Sequence, residues 1–309
     1  MKAEIKQLTI LGATGNLGAP VTKYLSCLGC QVTAIARNIE KAKQIFGDDA
    51  SIRIVYGDLQ NLSSLQKALQ DTEYLYLNLS TTATDIQAPF IEEREGIANI
   101  LKAVNPKKIK QILSISGLGA FQHAQTPDIA PLVTNVIRRQ GHELLKKSGI
   151  PYTILHCSWF ADSFVIFQRN KTYAVIGNTK TPIFFTNVFD YATKVYNALS
   201  NEKALFNEYP IQGKTGICHV QAAKDFFAVY DDSVQIKIVP TWILGMMSFF
   251  KKEMKPIKLL AEYSEKTSET FLAEQYDTYN DLGNCTMSLA EYAEKLKKER
   301  FYDYLSNLK

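Results

Sequence analysis

The sequence predicts an α/β chain built on a doubly wound parallel sheet, with a smaller α+β lobe formed by its later half. Three observations carry that expectation. Short apolar runs alternate with helical patterns through the first half, as in strands that are covered on both faces. The first apolar run enters a glycine-rich turn that opens directly into a helix. The second half loses the alternation and holds most of the aromatic residues.

The elements follow in order. Strands are expected at Leu8–Leu11, Val32–Ala36, Ile52–Tyr56, Tyr74–Leu79, Ile112–Ile115 and Tyr152–His156. Between them lie helical patterns at Pro20–Leu28, Glu40–Phe46, Leu62–Ala68, Gln87–Val104 and Leu132–Lys147. Right-handed crossovers would place these helices on both faces of the sheet. Cys27-Leu28-Gly29-Cys30 is formally a Cys-x-x-Cys pair. It reads instead as a helix end closed by glycine, running into a strand. Asn105-Pro106 and Ser148-Gly149 stop later helices in the same way.

Beyond residue 157 the sequence suggests a helix at Val188–Leu199, a strand at Phe206–Gln212 and a helix at Val220–Tyr230. Then come Val234–Val239 and an apolar segment, Pro240–Phe250, and a C-terminal helix, Leu289–Leu305, opens on a Ser288/Glu291 capping box. The expected division is residues 1–157 for the first layer and 158–309 for a cleft-forming lobe, with 187–212 returning to the first layer. The aromatic residues either line an apolar cleft or fill the core of the lobe.

Composition narrows the function classes. A chain of 309 residues, 46% hydrophobic, has a large core to bury. A net charge of +4 is too mild to argue for nucleic acid. The longest apolar stretch, Ile238–Phe250, contains Pro240 and Gly245 and is too short to span a membrane. Five cysteines and a polar start point to free thiols in a reducing compartment, hence the cytoplasm. No clustered Cys/His set or Gly-x-Ser-x-Gly elbow appears, so neither metal nor serine-nucleophile chemistry is expected.

The central motif is Gly12-Ala13-Thr14-Gly15-Asn16-Leu17-Gly18. Its glycines permit a tight turn and a close backbone approach, and the N-terminus of the following helix offers free N–H groups to an anion. With a strand before it and a helix after it, the motif predicts a dinucleotide site in which Gly12, Thr14, Gly15, Asn16, Leu17 and Gly18 hold a diphosphate. The second strand ends in Arg37-Asn38, without a carboxylate. An acid there favours NAD, whereas a cation accommodates the 2′-phosphate of NADP. The expectation is therefore NADP rather than NAD. Asp58 and Leu59 follow the third strand; Asp58 either accepts a bond from the adenine amino group or is an ordinary turn or N-cap residue. Asn78, Ser80 and Thr81 close the fourth strand, on the nicotinamide side.

With these residues and the run Ser148-Gly149-Ile150-Pro151-Tyr152-Thr153-Ile154-Leu155 in place, the chain resembles the NmrA-like, atypical short-chain dehydrogenase/reductases. The continuation His156-Cys157-Ser158-Trp159-Phe160 is similar to the end of that family's characteristic segment. The resemblance covers about residues 5–200. It implies a Rossmann fold binding NAD(P)(H), with a C-terminal lobe over the nicotinamide and Phe160 beside it.

The departures shape the functional expectation. Classical members carry a Tyr-x-x-x-Lys pair, which matches Asn135 and Arg139 here. Asparagine is no general acid, and arginine keeps its proton at neutral pH. Arg139 either holds a ribose or phosphate or is an exposed helix residue. Losing a positioned acid forfeits roughly 10²–10⁴ in carbonyl reduction. Hydride transfer to a quinone-like acceptor asks less of the protein. Ser116, ending the fifth strand, is a candidate to bond the acceptor's oxygen or to tie down its turn. His123, in the loop beyond it, is a candidate proton source facing the cleft. His142 with Lys146 is expected at the surface, His156 as a satisfied core histidine and His219 as a cap or surface residue.

The resulting expectation is an NADP(H)-dependent oxidoreductase acting on a small planar or apolar acceptor. The alternative is a non-catalytic NADP(H)-binding regulator that docks a protein partner near Trp242, Met246, Met247 and Phe250. Epimerase chemistry ranks last because the tyrosine base is missing. The oligomeric state is left open.

Overall fold

The computed structural model describes residues 7–81, 83–124, 129–177, 180–250, 254–284 and 287–308. Gln7–Leu11 (β1), Gln31–Ala36 (β2), Ile52–Tyr56 (β3), Tyr74–Leu77 (β4), Gln111–Gly117 (β5), Tyr152–Cys157 (β6) and Asn207–Ile211 (β8) form one sheet in the order β3-β2-β1-β4-β5-β6-β8. Every pairing is parallel. Leu8, Ile10 and Leu11 of β1 are all buried, so residues pointing to either face meet a covering layer. This is the doubly wound architecture that the sequence predicts. The chain order reverses between β1 and β4, which opens a crevice at the carboxyl ends of those strands.

The helices supply the two layers. Gly18–Cys27 (α1), Ile39–Phe46 (α2) and Val188–Leu199 (α7) lie with one core, and Leu62–Leu69 (α3), Ile97–Ala103 (α4) and Val133–Lys147 (α5) with the other. Asn38, Asn61 and Asn187 cap α2, α3 and α7 by accepting hydrogen bonds from N–H groups of the first turn. Gly29, with φ 93°, closes α1, and Cys30 is buried in β2's approach.

Two helix boundaries differ from expectation. Gln87–Ile91 is not helical; the helical segment opens with a π-helical turn, Glu92–Gly96. The Arg94 guanidinium donates to the carbonyls of Ile86 and Ala88 at 2.7 and 3.1 Å, which holds that stretch as a turn. The C-terminal helix, Leu289–Glu299 (α12), has the predicted capping box but stops before residue 305. Arg300 takes a left-handed conformation there, with φ 51°.

The later chain adds Ser163–Phe167 (α6), Thr172–Ile176 (β7), His219–Tyr230 (α8), Gln235–Val239 (β9), Thr241–Phe250 (α9), Lys255–Lys266 (α10) and Thr278–Leu282 (α11). Strands β7 and β9 pair in parallel as a separate ribbon; the run Val234–Val239 covers β9, while the pairing with β7 has no signal in the sequence pattern. Most aromatic side chains here pack one another: Phe164 meets Tyr173, Phe185, Phe226 and Phe227 at centroid distances of 5.0–6.1 Å. The fully buried Asp162 accepts hydrogen bonds from Val188 N, Tyr292 Oη and Tyr302 Oη, which ties α12 to α7. Burial pushes its carboxyl up to about 6. No helix among the described residues is long and apolar enough to cross a membrane.

Candidate functional site

The glycine turn is built around backbone contact. Gly12 has φ 79°, and a Cβ there would lie 2.1 Å from the carbonyl oxygen of Asn78. A Cβ on Gly18 would lie 2.0 Å from Gly12 O. Both positions therefore exclude any side chain. Gly15 N donates to Gly12 O at 3.1 Å and closes the loop, while Gly15 and Asn16 face outward. No side chain caps α1, and no acid occupies its first turn. The positive end of the helix is thus left open to an anion, as a diphosphate requires.

The far end of this cradle carries Arg37, exposed just past β2 and without an acidic partner among the described residues. Asn38, next to it, is engaged in capping α2 through Lys41 N. Asp58 Oδ1 accepts from Gln60 N at 3.0 Å. It therefore serves a local turn, and the cap of α3 is Asn61 rather than Asp58. Leu59 packs against Gly96 within the α3–α4 layer.

On the other side, a cavity of about 570 Å³ opens at the carboxyl ends of β5 and β6, under α10. Its wall includes Thr81, Gly117, Asn135, Cys157, Phe160 and Tyr263. Phe160 stands edge-on to Tyr191 at 5.1 Å. Burial pushes the Cys157 thiol well up, so it stays protonated. Asn78 and Ser80, expected on this side, are not on the cavity wall. Asn78 Nδ2 donates to Tyr76 Oη at 2.6 Å, and Ser80 is exposed. Ser116 is buried, with its Oγ unpartnered among the described residues, and is not on the wall.

Of the pair matched to Tyr-x-x-x-Lys, Asn135 reaches the cavity and Arg139 does not. Arg139 is half-buried rather than exposed, and its charge acts on the hydroxyl of Tyr263. The cation on the wall is Arg138, three residues after Asn135 and on the same helix face. Its Nε donates to Glu93 Oε1 at 3.0 Å, and Glu93 Oε2 accepts from Thr81 N at 2.8 Å. Burial raises the Glu93 carboxyl despite the attraction of Arg138. Counting residues from the motif gives Arg139, whereas the face of α5 turned to the cavity carries Arg138.

The histidines also fall differently. His123 is exposed and off the cavity wall, with its ring 5.3 Å from both Phe121 and Tyr276. His142 is buried rather than at the surface, 5.3 Å from the ring of His156. His156, fully buried, bonds Glu208 Oε2 at 2.7 Å, and Lys146 Nζ meets Glu208 Oε1 at 2.6 Å. Burial lowers both histidines. Against the upward push of burial, bonds to His156 and Lys146 pull Glu208 down to about 2. The donor atoms of His142, His156 and Glu208 lie within 4.8 Å of one another. In the same cluster the Lys146 ammonium pairs with the Glu208 carboxylate. His219 is buried too, bonded to Tyr173 Oη at 3.0 Å, and burial lowers it to about 4.

Sequence reasoning missed a further part of the wall, the irregular segment after α10. Glu269 lines the cavity, with Oε2 accepting from Ser158 Oγ at 2.8 Å and Oε1 from Gln212 Nε2 at 2.7 Å. Gln212 in turn accepts from Leu272 N and Ala273 N. No motif surrounds Glu269, and its partners lie 57 and 111 residues away in the chain.

The chain is 24% identical over 210 residues to the photosystem II assembly factor Ycf39 of Cyanophora paradoxa, covering 67% of this chain and 63% of that one. It is 30% identical over 161 residues to quinone oxidoreductase 2 of Escherichia coli, covering 51% and 50%. It thus spans about half to two thirds of the length of these relatives. A crystal structure of the Citrobacter sp. triphenylmethane reductase with NADP(H) superposes with a TM-score of 0.69 at 19% identity, covering 95% of this chain and all of that one. The likeness in fold takes in both the cradle and the cavity lobe. The NAD(P)H-binding family matches residues 12–183, from the first glycine of the cradle to Ile183 on the cavity wall, and the chain belongs to that family.

Proposed function

We propose that the protein is an NADPH-dependent reductase of planar, apolar acceptors, with quinones as the leading class. The observation that carries this reading is that an open diphosphate cradle after β1 and a mainly apolar cavity at the ends of β5 and β6 open at the same carboxyl edge of one parallel sheet. NADPH would supply the hydride. Gly12 to Gly18 hold its diphosphate, and Arg37 meets the 2′-phosphate with charge-assisted bonds. Trp159 and Phe160 present aromatic surface to a flat acceptor. The wall beside them buries the acceptor away from water. Quinone oxidoreductase and triphenylmethane reductase among the similar proteins support this acceptor class.

The test is NADPH oxidation, followed by fluorescence, against a panel of quinones and cationic triarylmethane dyes. Saturable oxidation with at least one planar acceptor, faster with NADPH than with NADH, is expected. Tight NADPH binding without turnover of any acceptor would overturn the reading.

A second reading, a cofactor-binding regulator, draws on the exposed Trp242 and Met246 of α9. Side chains of Met247 and Phe250 lie outside the described residues. A partner recovered with NADPH-loaded but not NADP⁺-loaded protein would favour it.

A further inference from the structure

Reducing a quinone needs more than a hydride. The acceptor gains two electrons and one hydrogen as hydride, and a proton must reach its oxygen to complete the hydroquinone. The position matched to the family's tyrosine is Asn135, which donates no proton, and His123 stands off the cavity. Arg138 on the wall is committed to Glu93 and keeps its proton. Burial holds both Cys157 and Tyr263 protonated above their ordinary range, which makes them weak acids.

We propose that Glu269, working with Ser158, is the proton donor to the reduced acceptor. This deepens the reductase reading and rests on it. Glu269 and Ser158 line the same cavity and lie 2.8 Å apart. The pair is anchored, not floppy. Gln212, fully buried at the end of β8, donates to Glu269 Oε1 and to Thr270 O, and accepts from Leu272 N and Ala273 N. That clamp fixes the carboxyl against the wall it shares with Phe160 and Gly117. The other ionisable groups on that wall are Arg138 of α5, Cys157 of β6 and Tyr263 of α10. The carboxyl is raised from its ordinary value by burial, against hydrogen bonds from Gln212, Ser158 and the Phe184 backbone N–H that favour the ionised form. A carboxyl shifted this way is better matched to proton donation near neutral pH.

The balance is simple. The O–H bond of the Glu269 carboxyl breaks as an O–H bond forms on the acceptor, directly or with the Ser158 hydroxyl passing the proton on. Glu269 is left as carboxylate, and water returns the proton after product leaves. A cationic triarylmethane dye is a natural control. Hydride adds to its carbocation and gives a neutral product, so that reaction consumes no proton.

The decisive variant is Glu269→Gln, which keeps the shape and the Gln212 and Ser158 contacts but carries no exchangeable acid. Its kcat ratio of quinone to dye is expected to fall by roughly 10²–10⁴, with the NADPH Kd unchanged. Ser158→Ala should lower the same ratio by less. Equal losses with both acceptors would mean a structural role and overturn the proposal, as would an unchanged ratio. A readout independent of turnover separates this inference from the reductase reading. Infrared titration of the NADPH-free protein should show one protonated carboxyl band persisting above the range where ordinary glutamates ionise, absent in Glu269→Gln. If wild type reduces no acceptor, the reductase reading fails and the proton-donor role falls with it, whatever the band shows. If acceptors turn over but the band is missing, Glu269 alone is the error.

Discussion

The two ends of the site are made in opposite ways. The diphosphate end is one continuous stretch, Gly12 to Gly18, whose shape is dictated by backbone packing against Asn78. The acceptor end is assembled from α5, the end of β6, α10 and the segment around Glu269. The first depends on what its residues lack, the second on buried polar groups that must find partners across the fold. A site of the first kind is fragile to any added atom. A site of the second kind is fragile to the loss of one partner, because the group left behind is buried.

The sharpest way to break this contrast is Arg138→Met. It leaves the Glu93 carboxylate buried without its cation, which costs about 3–5 kcal/mol. Denaturant unfolding should show that loss. The double variant Glu93→Gln/Arg138→Met should recover most of it, because no uncompensated charge remains. If the single variant keeps its stability, Glu93 is protonated in the folded protein and the ion pair contributes little.

Gly12→Ala probes the other end. The added Cβ falls on Asn78 O, and alanine at a positive φ is strained by about 1–3 kcal/mol before the clash is counted. Calorimetric titration should show NADPH affinity lost in a protein whose acceptor cavity is unaltered. Retained affinity would mean that the cradle is not where the diphosphate sits.

That contrast also explains what the sequence disclosed. The strands from β1 to β6, the glycine turn and the caps at Asn187 and Ser288 are written locally, in apolar runs and in residues within a few positions of one another. The sheet layer and the cradle were therefore legible. Arg138 was hidden by one residue of register, since only the packing of α5 against the π-helical turn shows which arginine points at Glu93. His142 looked like a surface residue because its neighbours, the buried His156 and the half-buried Glu208, come from other elements. Glu269 had no local signal at all. Its environment is made by Ser158 and Gln212, and no pattern in one sequence links the three.

Arg37→Asp sharpens the local end further. Removing a charge-assisted bond to the 2′-phosphate costs about 1.5–3 kcal/mol, or roughly 10–100-fold in NADPH affinity. The new carboxylate can accept from a ribose 2′-hydroxyl, so NADH should gain relative to NADPH. An unchanged preference would place the 2′-phosphate away from the tip of β2.

The smallest effect belongs to pH and lies behind the acceptor end. His142 and His156 are lowered by burial, so the folded protein keeps them neutral where the unfolded chain takes up protons. The unfolded state then binds more protons below about pH 6.5, and stability falls as pH falls through that region. Each histidine contributes at most about 1.4 kcal/mol per pH unit. Glu208, held at about 2 against an ordinary 4.5, acts in the same direction later, its contribution being lost as pH falls from 4.5 toward 2. Asp162 works the other way. Its carboxyl, raised to about 6 from 3.8, makes the folded state the better proton binder between those values, so it offsets part of the histidine slope. His142→Leu removes one contribution without touching Asp162, and its unfolding free energy should fall less steeply than wild type between pH 6.5 and 5. Parallel slopes in the two proteins would mean that His142 takes up its proton within the fold, with Glu208 as the anion that makes room for it.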